Sequence, residues 1–197
     1  GSGYAATYGA NGRVAEAVNA RGLRLTYAWD ARGRIRRVDG EDGSFVAYTW
    51  NDQSNLVSVE NGAGRTDMSY NAAGRLTRVD YPDGKWVKYT YNAAGRRSRL
   101  ETHAGLDLQY DYGPRGQLMA IREGSTTHLV DFVFDEQDRL VETIKAGGAR
   151  TEYLNLGNGK TSRVVHRASD GGVLESFECG YDALGQMTSL STLAGSW

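Results

Sequence analysis

Apolar and polar residues alternate in short runs along the chain. Leu23, Leu25, Tyr27 and Trp29 share one parity, with Arg24 and Thr26 between them. The same holds for Val87, Tyr89 and Tyr91 around Lys88 and Thr90, and for Leu106, Leu108, Tyr110 and Tyr112 around Gln109. Val130, Phe132 and Phe134 flank Asp131, and Phe177, Cys179 and Tyr181 close the series. Period two with aromatic and β-branched residues predicts half-buried strands. No segment sustains a helical period.

Each of these strands runs into the same kind of turn. Asn71–Gly74, Asn92–Gly95, Asp30–Gly33 and Asp182–Gly185 read Asn/Asp-x-x-Gly, the preference of a type I turn whose last residue takes positive φ. Gly12 closes the first such turn, and Gly113–Gly116 places Pro114 where a fixed φ helps. Asn51–Ser54 and Asp135–Asp138 lack the closing glycine and are expected to be strained or differently shaped. A second turn follows half a period later, at Arg21-Gly22, Asp42-Gly43, Ala63-Gly64, Asp83-Gly84, Ala104-Gly105, Glu123-Gly124, Gly147-Gly148 and Gly171-Gly172. The strand leaving the first turn is less regular: Leu76 and Val79 have opposite parity, and a bulge after the turn would repair the register.

The residue before the first turn defines a repeat. Anchors at Tyr8, Trp29, Trp50, Tyr70, Tyr91, Tyr112, Phe134, Leu156 and Tyr181 are spaced 21, 21, 20, 21, 21, 22, 22 and 25 residues apart. The string Tyr-Asn-Ala-Ala-Gly-Arg stands at Tyr70–Arg75 and recurs at Tyr91–Arg96. Such a period signals a repeat architecture. The expectation is all-β: about eight or nine antiparallel hairpins in a long, curled or spiralling sheet. Roughly sixteen strands at about 4.8 Å spacing would make a flat ribbon nearly 80 Å long, so the ribbon is expected to coil, fold over or pair. Its end strands would offer unpaired backbone for edge-to-edge self-association.

Composition narrows the function classes. A net charge of −1 over 197 residues gives no basic face for nucleic acid. No apolar run is long enough for a helical membrane span. One cysteine, Cys179, excludes an intrachain disulfide. The opening Gly-Ser-Gly reads as an expression remnant, residues 4–193 as one repeat array, and residues 194–197 as a tail; the whole is expected to be an excised piece of something longer.

Tyr89-Thr90-Tyr91-Asn92-Ala93-Ala94-Gly95-Arg96 and Tyr27-Ala28-Trp29-Asp30-Ala31-Arg32-Gly33-Arg34-Ile35 resemble the tyrosine-aspartate (YD) repeat of RHS proteins, and the literal Tyr-Asp pair stands at Tyr181-Asp182. That family includes bacterial RHS polymorphic toxins, the C components of Tc toxins and the teneurins. The resemblance implies a ribbon of strands spiralling into a shell that encloses or presents a C-terminal toxin, or that serves as an extracellular scaffold for adhesion or carbohydrate binding. It implies a secreted or cell-surface setting, with further RHS repeats or toxin cargo as partners. The family's self-cleavage segment before the toxin is not recognisable here.

No constellation points to an enzyme, a metal or a cofactor. His103, His128 and His166 lack ligand spacing. Cys179 lies on an apolar face and reads as a buried core thiol. The acidic turns Glu41-Asp42 and Asp135, Glu136, Asp138 lack calcium-loop spacing. Gly157-Asn158-Gly159-Lys160-Thr161 is short of a phosphate loop and reads as a degenerate repeat turn. Arg13, Arg34, Arg75, Arg96 and Arg139 recur after the turns; they are expected to bond turn carbonyls or carboxylates and to pack on the aromatic anchors rather than to form an anion-binding stripe. The aromatic ladder is expected to hold strands together rather than to stack on sugars.

Overall fold

A computed structural model describes residues 5–192 and the backbone of residues 195–196; residues 1–4, 193, 194 and 197, which include the opening tripeptide, both ends of the expected array and part of the expected tail, lie outside the described residues. Among them every regular element is a β-strand. Contacts divide the chain into two compact units, Gly1–Thr90 with Glu101–Gly105, and Tyr91–Leu100 with Leu106–Trp197.

The first unit carries β1 (Ala6–Tyr8), β2 (Val14–Val18), β3 (Arg24–Trp29), β4 (Ile35–Gly40), β5 (Phe45–Trp50), β6 (Leu56–Asn61), β7 (Gly64–Tyr70), β8 (Leu76–Asp80) and most of β9 (Trp86–Tyr91). β10 (Arg97–Thr102) is divided between the units. The second unit carries β11 (Asp107–Tyr112), β12 (Leu118–Glu123), β13 (Thr127–Phe134), β14 (Leu140–Lys145), β15 (Arg150–Asn155), β16 (Thr161–Arg167), β17 (Val173–Tyr181), β18 (Met187–Thr192) and β19 (Gly195–Ser196). Within each unit consecutive strands pair antiparallel.

Register explains the irregular parity. Tyr70 faces Leu76, but Ser69 faces Arg78, so Thr77 is an extra residue. The shift puts Leu76 and Val79 on one face, opposite Tyr70 and Met68. The same shift follows Tyr8, Trp29, Trp50, Tyr112, Phe134 and Tyr181, each at the end of its strand. It also occurs at Asn155, which faces Thr161. The eighth anchor is therefore Asn155, and the expectation of Leu156 is corrected: Leu156 heads the turn, with the Gly159 amide donating to its carbonyl at 2.9 Å. Anchor spacings then become 21 from Phe134 to Asn155 and 26 from Asn155 to Tyr181.

Among the described residues the strand contacts within each unit run between neighbours in sequence. The consequence is a nearly absent interior. Only Val79, Ala120, Val165, Ser58, Thr151 and Ser176 are buried among the described residues, and no side chain falls below 2% exposure. Cys179 is half-buried rather than a buried core thiol, as expected where so few side chains are buried.

Candidate functional surface

Each first turn is built the same way. In Asp30–Gly33 the Gly33 amide donates to the Asp30 carbonyl at 2.9 Å, and the Asp30 amide donates to the Arg34 carbonyl at 2.9 Å. The Asp30 carboxylate accepts the amides of Arg32 and Arg34 at 3.0 and 2.9 Å. Asn71 does the same for Ala73 and Arg75, each at 3.0 Å, and Asn92 and Asp182 cap the amides of Arg96 and Gln186. Gly12, Gly74, Gly95, Gly116 and Gly185 all sit at positive φ. So do Ser54 (φ 65) and Asp138 (φ 61), with the same closing bond at 3.0 Å. These two turns are strained, as non-glycine residues at that φ must be, but their shape is unchanged. The head residues Asn51 and Asp135 cap two amides each and hold the conformation regardless of the fourth residue.

The anchors brace backwards. The Trp29 indole N–H donates to the Val14 carbonyl at 2.8 Å, and that of Trp50 to the Ile35 carbonyl at 2.8 Å. The hydroxyls of Tyr70, Tyr112 and Tyr181 donate to Leu56, Arg97 and Thr161 at 2.7, 2.8 and 2.9 Å. Asn155 uses its amide, donating to Leu140 at 2.8 Å. For Trp29, Trp50, Tyr70, Asn155 and Tyr181 the acceptor is the residue facing the previous anchor, one step before the bulge. A bulge disrupts the ladder locally, and the next anchor supplies a donor there. Phe134 has no polar tip, Tyr8 is 66% exposed, and Tyr91 occupies the corresponding strand end.

The post-turn cations brace forwards. Arg34 is tied to Asp30 through Nε at 2.7 Å, donates to the Asn51 carbonyl and the Ser54 hydroxyl at 3.0 Å each, and lies over Trp50 at 5.5 Å. Arg139 is tied to Asp135 at 2.6 Å and reaches the Leu156 carbonyl at 2.8 Å. Arg13 lies over Trp29, Arg96 over Tyr112, and Lys160 over Tyr181, where its ammonium also donates to the Gly185 carbonyl. At Gly33 φ is +77°, which favours glycine, and a Cβ there would displace the Arg13 guanidinium. The Arg34 amide, helped by its guanidinium, holds the Asp30 carboxyl below its ordinary pKa, and Arg139 does so for Asp135. Burial first, then the Cys179 thiol, pushes the Tyr181 phenol up.

The face opposite the anchors is ionic. Arg37 pairs with Asp39 at 2.7 Å and lies over Phe45 at 4.3 Å; Arg78 pairs with Asp80 at 2.7 Å and lies over Trp86 at 4.8 Å. Arg99–Asp107 (2.7 Å), Arg122–Asp111 (2.6 Å) and Arg167–Glu152 (2.8 Å) continue the pattern in the second unit. Their partners' side-chain hydrogen bonds hold Asp80 and Asp107 below the carboxylate range. Exposed pairs of this kind add little to stability, so they set the face's polarity more than its stability.

The remaining candidates do not converge. His128 bonds Asp131 at 2.6 Å, His166 bonds Thr151 at 2.9 Å, and the His103 amide donates to Trp86. Asp42 is occupied by Ser44, and Asp138 by Arg115. Residues Gly157–Thr161 continue the turn headed by Leu156. No group of three metal-ligating side chains exists among the described residues. Sequence reasoning missed Asn155 because an amide breaks the apolar pattern. The signal was available: 21 residues beyond Phe134 is 155, not 156.

The family model for the teneurin YD-shell matches residues 5–192. A crystal structure of TcdB2–TccC3 superposes with a TM-score of 0.78 at 16% identity, over 96% of this chain and 12% of that one. One lacking the hypervariable C-terminal region gives 0.77 at 16% identity, over 96% and 11%. A Photorhabdus luminescens Tc holotoxin pore with a TccC3 mutation gives 0.77 at 16% identity, over 96% and 11%. At this identity the likeness concerns the fold, and the chain spans about a tenth of those proteins. Comparison with curated proteins gives no match.

Proposed function

Because this chain belongs to the teneurin YD-shell family, we propose that it is a segment of shell wall whose work is mechanical and non-enzymatic: it surrounds or presents a C-terminal toxin of the polypeptide it comes from, in a secreted or cell-surface setting. One observation carries the reading. Trp29, Trp50, Tyr70, Tyr112, Asn155 and Tyr181 bond back to the preceding repeat, while Arg34, Arg139 and Lys160 bond forward to the next. A wall joined this way needs no interior, and it extends by adding repeats, each contacting only its neighbours. The match to a TcdB2–TccC3 structure lacking its hypervariable C-terminal region supports a wall whose fold does not depend on cargo.

The test is limited proteolysis of the parent polypeptide. The segment after the shell should resist protease while the shell is folded, and become cleavable when denaturant opens it. Cleavage at the rate of the isolated segment would overturn the encapsulation reading. Adhesion through carbohydrate is less well supported, since the Trp29, Trp50, Tyr70, Tyr112 and Tyr181 tips are spent on backbone carbonyls. Specific hits on a glycan array would revive it.

A further inference from the structure

Three Asn-Gly dipeptides occur in the described residues: Asn11-Gly12, Asn61-Gly62 and Asn158-Gly159. All three asparagine side chains accept an amide two residues on, from Arg13 (3.1 Å), Ala63 (2.9 Å) and Lys160 (3.1 Å). That donor polarises the side-chain carbonyl and is placed to stabilise an oxyanion on Oδ1. The three differ in the following glycine. The Gly12 and Gly159 amides each close a turn, donating to Gly9 and Leu156 at 2.9 Å. Gly62 lies at the tip of the β6–β7 hairpin, and among the described residues its amide has no hydrogen-bond partner. Asn61 and Gly62 are exposed, and a Cβ built at Gly62 would meet nothing within 4 Å.

We propose that Asn61-Gly62 is a spontaneous modification site, at which the asparagine converts to aspartate and isoaspartate. The Gly62 amide nitrogen gives its proton to a solvent base and attacks Asn61 Cγ. The new N–Cγ bond closes a five-membered succinimide; the Cγ–Nδ2 bond breaks and ammonia leaves. Water then opens the ring, at Cγ to give aspartate, or at the backbone carbonyl carbon to give isoaspartate. The net change is one water consumed and one ammonia released, with no oxidant or cofactor. The product puts a new carboxylate on the hairpin tip, and the isoaspartyl form lengthens the backbone of a two-residue turn.

At Asn11 and Asn158 the nucleophile must first give up its turn bond, which slows attack roughly tenfold or more. The experiment is incubation of the folded protein at mildly alkaline pH, followed by peptide mapping and isoaspartyl methyltransferase labelling. Conversion at Asn61 should outrun that at Asn11 and Asn158 roughly tenfold, and unfolding in denaturant should bring the three rates together. Gly62→Ala, at a position without positive φ, should keep the fold and suppress conversion at Asn61. Equal rates at all three sites in the folded protein, or Asn61 slower than either, would overturn the proposal.

Discussion

The repeat between Trp29 and Trp50 and the one between Asn155 and Tyr181 solve the same problem with different materials. The first spans 21 residues, joins two tryptophans and uses Arg34 as its forward brace. The second spans 26 residues, begins on an asparagine, heads its turn with Leu156 and uses Lys160. Its additional length lies in longer strands, β16 with seven residues and β17 with nine, and in one more residue in the turn between them. Yet both close the same turn, shift register at the same place and send a donor back to the previous repeat. What both share with the Phe134 repeat, whose anchor has no donor, is the register shift at the strand end and a residue tolerating positive φ four positions on. Ring, length and head residue can vary.

That comparison breaks most visibly at Gly33. Gly33→Val combines positive φ with displacement of the flexible Arg13 guanidinium from over Trp29, and should lower unfolding free energy by about 2–4 kcal/mol in denaturant titration. Gly74→Val meets only Asn55 Nδ2 at 3.6 Å, so its cost should be confined to the backbone, about 1–3 kcal/mol. Equal losses would remove the forward brace from the account.

Trp50→Phe and Asn155→Leu sharpen the equivalence of the two anchors. Each deletes the donor to a preceding carbonyl and should cost about 1–3 kcal/mol in the same titration. A free Asn155→Leu would make the asparagine incidental. In the opposite direction, Ser54→Gly relieves a positive φ and gives up the Arg34 contact; the melting temperature should rise slightly, by a gain of about 0.5–1 kcal/mol.

The smallest effect is on pH dependence. Asp30, Asp42, Asp80 and Asp83 in the first unit, and Asp107 and Asp135 in the second, have carboxyls held below the ordinary value. A lowered folded-state pKa stabilises above the unfolded pKa, about 3.9, and that stabilisation fades as pH falls through the folded value. Stability should stay flat from neutral down to about pH 5 and then fall below pH 4. Hydrogen exchange should find the first unit, with four such groups to two, losing protection first on acidification.

Much of the fold was legible in the sequence because its determinants are local. An Asn/Asp head with glycine at the fourth place dictates a turn, and a bulge was the local repair for the conflict between Leu76 and Val79. Three things were not local. Ser54 and Asp138 take the glycine conformation because Asn51 and Asp135 cap the turn from its head. Cys179 sits on an apolar parity without an interior to receive it. Asn155 acts as an anchor through its amide, which a hydrophobic pattern cannot register. The braces themselves join residues 14 to 25 apart, so only the folded register brings them together.

Hydrogen exchange of the tryptophan indole protons tests the backward brace most directly. Trp29 and Trp50 donate to backbone carbonyls, whereas Trp86, which is not an anchor, has no indole acceptor among the described residues. The indole protons of Trp29 and Trp50 should exchange far more slowly than that of Trp86 in the folded protein. Three indoles exchanging alike would contradict a wall held together by anchors reaching into the repeat before them.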